Sequence, residues 1–244
     1  MATLSGKVAL ITGAGNGQGA AMARLFAHNG AQVVVTDIAR AAGEAVAAEL
    51  GVAGHFVEHD VSQSDSWRHV TASALGRFGQ INVLVNNAGI YDWKTLPDTD
   101  EAFFERMWRV NELGVFLGMK AVIEPMTRQG GGSIINVSSI GGMGGYPGIF
   151  AYATTKWAIR GMTKCAARDL GHMGIRVNSI LPGVIETQMI AHLPQATKDG
   201  WLDRIPLSRL GTADDVAKVA LFLASDASAY MTGTDVVVDA GMAA

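Results

Sequence analysis

The chain has 244 residues, of which 49% are apolar and 17% charged; this is enough core material for one sizeable domain and excludes a disordered or polyelectrolyte protein. Its 19 Lys and Arg against 22 Asp and Glu leave no basic excess for phosphate-driven nucleic-acid binding, and one cysteine, Cys165, excludes an intramolecular disulfide or a thiolate metal cluster. No run approaches the ~18–20 apolar residues of a membrane helix, and Met1 to Lys7 lacks a signal-peptide pattern, so a soluble cytoplasmic protein is expected.

Short β-branched runs alternate with Ala-rich amphipathic stretches along the chain. Val8 to Thr12 reads as a buried strand, Ala20 to Asn29 as a helix stopped by Gly30, and Gln32 to Thr36 as a second strand. A helix over Ala39 to Leu50, a strand at His55 to Glu58 and a helix over Gln63 to Phe78 follow. Next come a strand at Ile81 to Val85, one long helix over Glu101 to Arg128 and a strand at Ser133 to Val137. The last elements are a helix over Phe150 to His172, a strand at Ile175 to Leu181, a helix at Asp214 to Leu223 and a strand at Asp235 to Val238. The strands are nearly all apolar instead of alternating, as in a parallel sheet buried on both faces. The pattern predicts an α/β chain forming one domain: a Rossmann-type doubly wound parallel sheet of about seven strands with helices on both faces. Gln188 to Leu210 fits no regular element and reads as a lid or substrate loop.

Glycine is in excess, with 30 residues in 244. The first strand runs straight into Gly13-Ala14-Gly15-Asn16-Gly17-Gln18-Gly19 and then a helix. Glycines there let a phosphate approach backbone amides at a helix N-terminus, although the cluster alone also describes a ligand-free tight turn. The second strand ends at Asp37, 18 residues beyond Gly19. Its carboxylate could accept from the adenosine ribose hydroxyls and would repel a 2′-phosphate; Ile38 beside it offers no cation, so NAD(H) is favoured over NADP(H). Asp37 could also simply cap the following helix. A second glycine run, Gly141-Gly142-Met143-Gly144-Gly145, follows the fifth strand with no immediate helix and reads as a substrate-side loop.

Asn86-Asn87-Ala88-Gly89 after the fourth strand, Asn111 in the long helix, Ser139 at the end of the fifth strand, Tyr152-Ala-Thr-Thr-Lys156 and Pro182-Gly183 complete a pattern. Together with the glycine loop they resemble the short-chain dehydrogenase/reductase family over essentially the whole chain. The runs at 114–120 and 156–161 look most like bacterial 3α/20β-hydroxysteroid dehydrogenases. The resemblance implies hydride transfer between a nicotinamide and a carbinol or carbonyl carbon, with Tyr152 as general acid/base. A free tyrosine ionises near ~10, so this role asks for a lowering of ~2 units, about 2.7 kcal/mol. Lys156, four residues on and on the same helical face, would favour the phenolate and hold the nicotinamide ribose. Ser139 would hydrogen-bond the substrate oxygen, Ser138 pointing the other way, and Asn111 would anchor a water leading from Lys156 to solvent. By the same resemblance Asp60 and Val61 line the adenine pocket, and Asn87 and Gly89 flank the ribose and diphosphate. Pro182, Gly183, Ile185 and Thr187 meet the nicotinamide carboxamide. Gln18 departs from the family, which has Ile or Leu there.

The expected substrate pocket draws on Tyr91, Trp93, Met143, Tyr146, Met189, His192 and Leu193, besides Ser139 and Tyr152. Such side chains suit a bulky apolar alcohol or ketone, though they could equally pack on one another or on a partner. No metal-ligand spacing is present, the histidines other than His192 read as surface or packing residues, and Cys165 reads as a small buried hydrophobe. The expectation is an NAD-dependent alcohol dehydrogenase or ketone reductase for a steroid- or cyclic terpenoid-like substrate. The alternatives are a 3-oxoacyl-carrier-protein reductase and a non-catalytic dinucleotide sensor on the same fold. The family commonly forms homotetramers, and the C-terminal run Val236 to Ala244 suits burial in such an interface.

Overall fold

The computed structural model describes residues 3–191 and 194–244. Among them, seven parallel strands form one sheet in the order β3-β2-β1-β4-β5-β6-β7. The strands are β1 Val8–Thr12, β2 Gln32–Asp37, β3 Gly54–Glu58, β4 Val83–Asn86, β5 Gly132–Val137, β6 Ile175–Pro182 and β7 Asp235–Val238. The order reverses between β1 and β4, where the chain leaves the sheet in opposite directions and opens a crevice above the strand C-termini.

Successive side chains of each strand serve opposite cores. Ala9 and Ile11 of β1 and Val33 and Val35 of β2 pack with α1 (Gly17–His28) and α9 (Ala213–Ala224) through Met22, Phe26, Val216 and Leu223. Val8, Leu10 and Val34 instead meet Trp67 and Val70 of α3 (Ser64–Phe78), Val115 and Val122 of α5 (Gly114–Arg128) and Ile159 of α6 (Phe150–Leu170). Helix α2 (Arg40–Glu49) covers β2 and β3 on the first of these faces. Helix α9 begins one residue before Asp214, because its N-cap Thr212 and Asp215 form a reciprocal capping box.

The expected single helix over 101–128 is broken. Helix α4 (Glu101–Trp108) passes into a wide π turn at Arg109–Leu113 before α5 resumes. The extra residue turns Asn111 fully inward, where its amide finds backbone partners. The excursion after residue 187 contains two short helices, α7 (Gln188–Ala191) and α8 (Gln195–Leu202), the latter opening after Pro194. Cys165 is exposed on α6 and not buried as expected. No helix among the described residues is long and apolar enough to cross a membrane.

Beneath the crevice a buried polar chain ties three elements. Asn86 donates to Asn136 at 2.9 Å, Asn136 to Thr163 at 2.9 Å, and Thr163 to the Ile159 carbonyl at 2.8 Å. Gly118 packs against this chain, and a Cβ there would lie 2.4 Å from Asn86 Oδ1 and 2.6 Å from the Trp67 ring. Gly118→Ala is therefore expected to destabilise by about 1–3 kcal/mol through overpacking despite alanine's better helix propensity, as read by urea denaturation.

Candidate active site

The glycine loop is held by the segment after β4. Thr12 Oγ1 accepts from the amides of Asn87 and Ala88, both at 3.0 Å, and donates to the Val85 carbonyl. Asn87 Nδ2 donates back to the carbonyls of Thr12 (2.9 Å) and Gly13 (3.1 Å). Gly13 and Gly17 adopt φ of +62° and +53°, in the region that favours glycine. A Cβ on Gly19 would stand 2.2 Å from the Gly13 carbonyl, so this third glycine permits packing and does not itself line the crevice. The amides of Gly17, Gln18 and Gly19 open α1, where a helix leaves its first donors without intrahelical partners. Gln18 Oε1 is buried there with no protein partner among the described residues. Thr187 lies across the same turn, its methyl 3.4 Å from where a Gly17 Cβ would stand.

At the other end of the crevice, both oxygens of Asp37 accept backbone amides, Oδ2 from Gly15 and Oδ1 from Ala39, each at 2.9 Å. Asp37 thus braces the loop as well as presenting its carboxylate to the cavity. The nearby cation, Arg40, is committed to Glu58 at 2.5 Å and Glu44 at 3.2 Å. Asp60 Oδ1 takes the amide and hydroxyl of Ser62. Buried His59 sits edge-on to Trp67 with ring centroids 4.3 Å apart and its Nδ1 3.1 Å from the Thr36 hydroxyl. Burial holds its imidazole down near 4, neutral at working pH. It also borders the cavity, which the sequence pattern gave no reason to expect.

The reactive-looking groups meet where β5 ends. Ser138 donates to the Lys156 carbonyl at 2.8 Å and is fully used in holding α6, whereas Ser139 accepts the Gly141 amide at 3.0 Å and keeps its hydroxyl hydrogen to donate. The Ser139 hydroxyl acts on the Tyr152 phenol, and Tyr91 stacks edge-to-face on Tyr152 with centroids 5.0 Å apart. The buried Lys156 ammonium lies 5.4 Å from the Tyr152 ring centroid and donates to the Val137 carbonyl at 3.0 Å. With no acid beside it to offset burial, its pKa falls to about 8. Burial pushes Tyr152 up to about 12, with Ser139 opposing; among the protein's own groups the shift is opposite to the lowering the sequence argument asked for. Asn111 does not line the cavity. It exchanges two hydrogen bonds with the backbone of Ile90 at 2.8 and 2.9 Å and reaches Thr155 at 3.4 Å, setting the loop that carries Tyr91.

One cavity of about 900 Å³ joins these parts. It is bordered by Gly13, Asn16, Gly17, Gln18, Asp37, Ile38, Asp60, Val61, Asn87 and Gly89 at one end. Ser139, Tyr152, Lys156, Pro182, Gly183, Ile185 and Thr187 follow, then Tyr91, Trp93, Tyr146 and Met189. Met143 is not on its wall, being turned away by the short helical turn at Ile140–Gly142. His192 and Leu193 lie outside the described residues. Trp201, Arg204 and Met242 also border the cavity; Met242 is far from every motif in sequence and reaches the crevice only because β7 ends beside β6. Among the described residues no group of three or more His, Cys, Asp or Glu could hold a metal ion. A crevice with open helix-start amides at its centre and a carboxylate at one end fits a dinucleotide.

Comparison with known proteins agrees with this geometry. Residues 13–243 match a family model described as enoyl-(acyl carrier protein) reductase. The chain is 44% identical over 241 residues to a 3-alpha-(or 20-beta)-hydroxysteroid dehydrogenase of Mycobacterium tuberculosis, covering 99% of this chain and 91% of that one. It is 41% identical to a 3-oxoacyl-[acyl-carrier-protein] reductase of Thermotoga maritima, covering 98% of each. A short-chain type dehydrogenase/reductase from Mycobacterium marinum superposes with a TM-score of 0.93 at 39% identity, over 98% of this chain and 96% of that one. The chain belongs to the short-chain dehydrogenase/reductase family and is an oxidoreductase.

Proposed function

We propose that the protein interconverts a hydrophobic secondary alcohol and its ketone with NAD(H), a steroid-like or other cyclic alcohol being favoured. The observation that carries this reading is the meeting of Ser139, Tyr152 and Lys156 in the same cavity that Asp37 borders. The bound dinucleotide would supply the hydride acceptor or donor. It would be held by the amides at the start of α1, by Asp37, by Asp60 and Val61, and by the run from Pro182 to Thr187.

The Ser139 hydroxyl would donate to the substrate oxygen while its own oxygen accepts the Gly141 amide. Tyr152 transfers the proton on that same oxygen. Lys156 would favour the phenolate, its deep burial leaving the ammonium's field little screened. Asn111, bonded to the Ile90 backbone and near Thr155, would hold the Tyr91 loop from behind. The walls near Tyr152 are aromatic or aliphatic, which supports a bulky apolar substrate. Commitment of Arg40 to two glutamates leaves no free cation beside Asp37, which supports NAD(H) and counts against the acyl-carrier-protein reductase alternative. Exposed Phe104, Trp108, Phe116 and Phe150 on α4–α6, with Phe222 and Val237 at the other end, support the homotetramer. A cytoplasmic setting accords with the composition.

Tyr152→Phe is expected to keep NADH affinity, measured by fluorescence titration, while losing about 10² to 10⁴ in turnover; near-wild-type turnover would remove the proposed mechanism. Wild-type protein is expected to oxidise bulky members of a panel of aliphatic, aryl, monocyclic terpene and steroid alcohols with NAD in preference to NADP, and Asp37→Ser to narrow that preference. Turnover with NADP alone would favour the acyl-chain alternative, and silence with both despite dinucleotide binding the sensor. Because burial holds the Tyr152 phenol protonated, oxidation, which needs the phenolate, should rise with pH by up to about tenfold per unit below the phenol's pKa, while reduction should fall once that pKa is passed. Paired pH profiles of kcat/KM between pH 6 and 10, below that pKa, check that oxidation rises while reduction stays level.

A further inference from the structure

The glycine run 141–145 is bound to α6 by side chains that do not themselves face the cavity. Arg160, one turn beyond Lys156, donates through Nη1 to the Gly142 carbonyl and through Nε to Asp235 Oδ2 at 3.1 Å. Its guanidinium lies 4.9 Å from the Trp157 ring centroid, and Trp157 Nε1 donates to the Gly144 carbonyl at 3.5 Å. Gly142 must be glycine, because a Cβ would stand 2.7 Å from the Lys156 carbonyl. In the same turn the Gly141 amide donates to Ser139 Oγ and the Gly142 amide to the Ser139 carbonyl, at 3.0 and 2.9 Å. The side chain of Arg160 and the hydroxyl of Ser139 are thus the two ends of one short hydrogen-bonded turn.

We propose that Arg160 is a positioning residue for Ser139, acting through the turn 140–142; this rests on the reading of Ser139 given above. Arginine is required because its planar fork reaches Asp235 and Gly142 simultaneously, which a single ammonium cannot reproduce with the same geometry. Asp235 anchors the fork to β7: its Oδ1 accepts from Ser179 at 2.5 Å, and its Oδ2 also pairs with Lys164 at 2.9 Å. Lys164 remains to neutralise Asp235 when Arg160 is replaced, so no buried charge is stranded.

The test is a double-mutant cycle on the intact enzyme with NAD and either cyclohexanol or a 3α-hydroxysteroid as alcohol. Arg160→Met is expected to lower kcat by about ten- to a hundredfold, the scale of a small misplacement of a reacting group, with the NADH dissociation constant from fluorescence unchanged. Arg160→Lys, which keeps the cation and the fold, should recover only part of the loss. In a Ser139→Ala background Arg160→Met should cost little more, because its target is gone. An undiminished loss in that background, or wild-type kcat in Arg160→Met or, should that variant not fold, in Arg160→Lys, overturns the proposal while leaving the function intact. A Ser139→Ala enzyme with wild-type turnover, or no oxidation of either alcohol, overturns the reading of the site and this proposal with it.

Discussion

The structure depends on how the chain closes the gap that opens between β1 and β4. Neighbouring strands of a parallel sheet normally satisfy one another, but at the reversal of strand order their extensions diverge and backbone groups are left facing a crevice. The Thr12 hydroxyl and the Asn87 side chain together engage two amides and three carbonyls at that point. Each buried group left unpaired there would cost about 1–3 kcal/mol. These bonds tie the glycine loop to the segment after β4 and shape the floor of the crevice.

Charge is distributed along this crevice in a consistent way. Acidic groups, Asp37 and Asp60, border one end, and the buried lysine borders the other. Between them lie helix-start amides that contribute partial positive charge without any titratable side chain. The opposite shifts of Tyr152 and Lys156 share one cause: desolvation penalises whichever form is charged, raising the acid and lowering the base. A neutral phenol beside an ammonium poised to lose its proton is what burial alone dictates.

Much of this was legible in sequence because it rests on local rules. Apolar runs located the strands to within two residues, and the alternation of neighbours at a strand end separates Ser139 from Ser138, whose hydroxyl donates to the Lys156 carbonyl. What escaped depends on tertiary packing. The π turn at Arg109–Leu113 has ordinary helical composition and exists because Asn111 meets Ile90, far away in sequence. Cys165 lies among alternating buried and exposed positions of α6, and small side chains carry little periodic signal. The expected lowering of Tyr152 counted the lysine but not desolvation, which sequence cannot supply. Met143 sits in a glycine run whose direction is set by Arg160, a contact invisible to spacing.

The burial of β1 on both faces carries one last consequence, for register. In a strand with one wet face, sliding by a single residue would send oily side chains into water, and polarity alone would forbid it. Here both faces are dry, so a slipped β1 would merely exchange the contents of two cores. Register must instead be enforced by volume, with Ala9 on one side and Leu10 on the other, and by the single hydroxyl at the strand's end. A one-residue slip would carry Thr12 away from Asn87 and Ala88 and leave both amides without it. The group that shapes the crevice is thus also the stop against which the central strand is aligned.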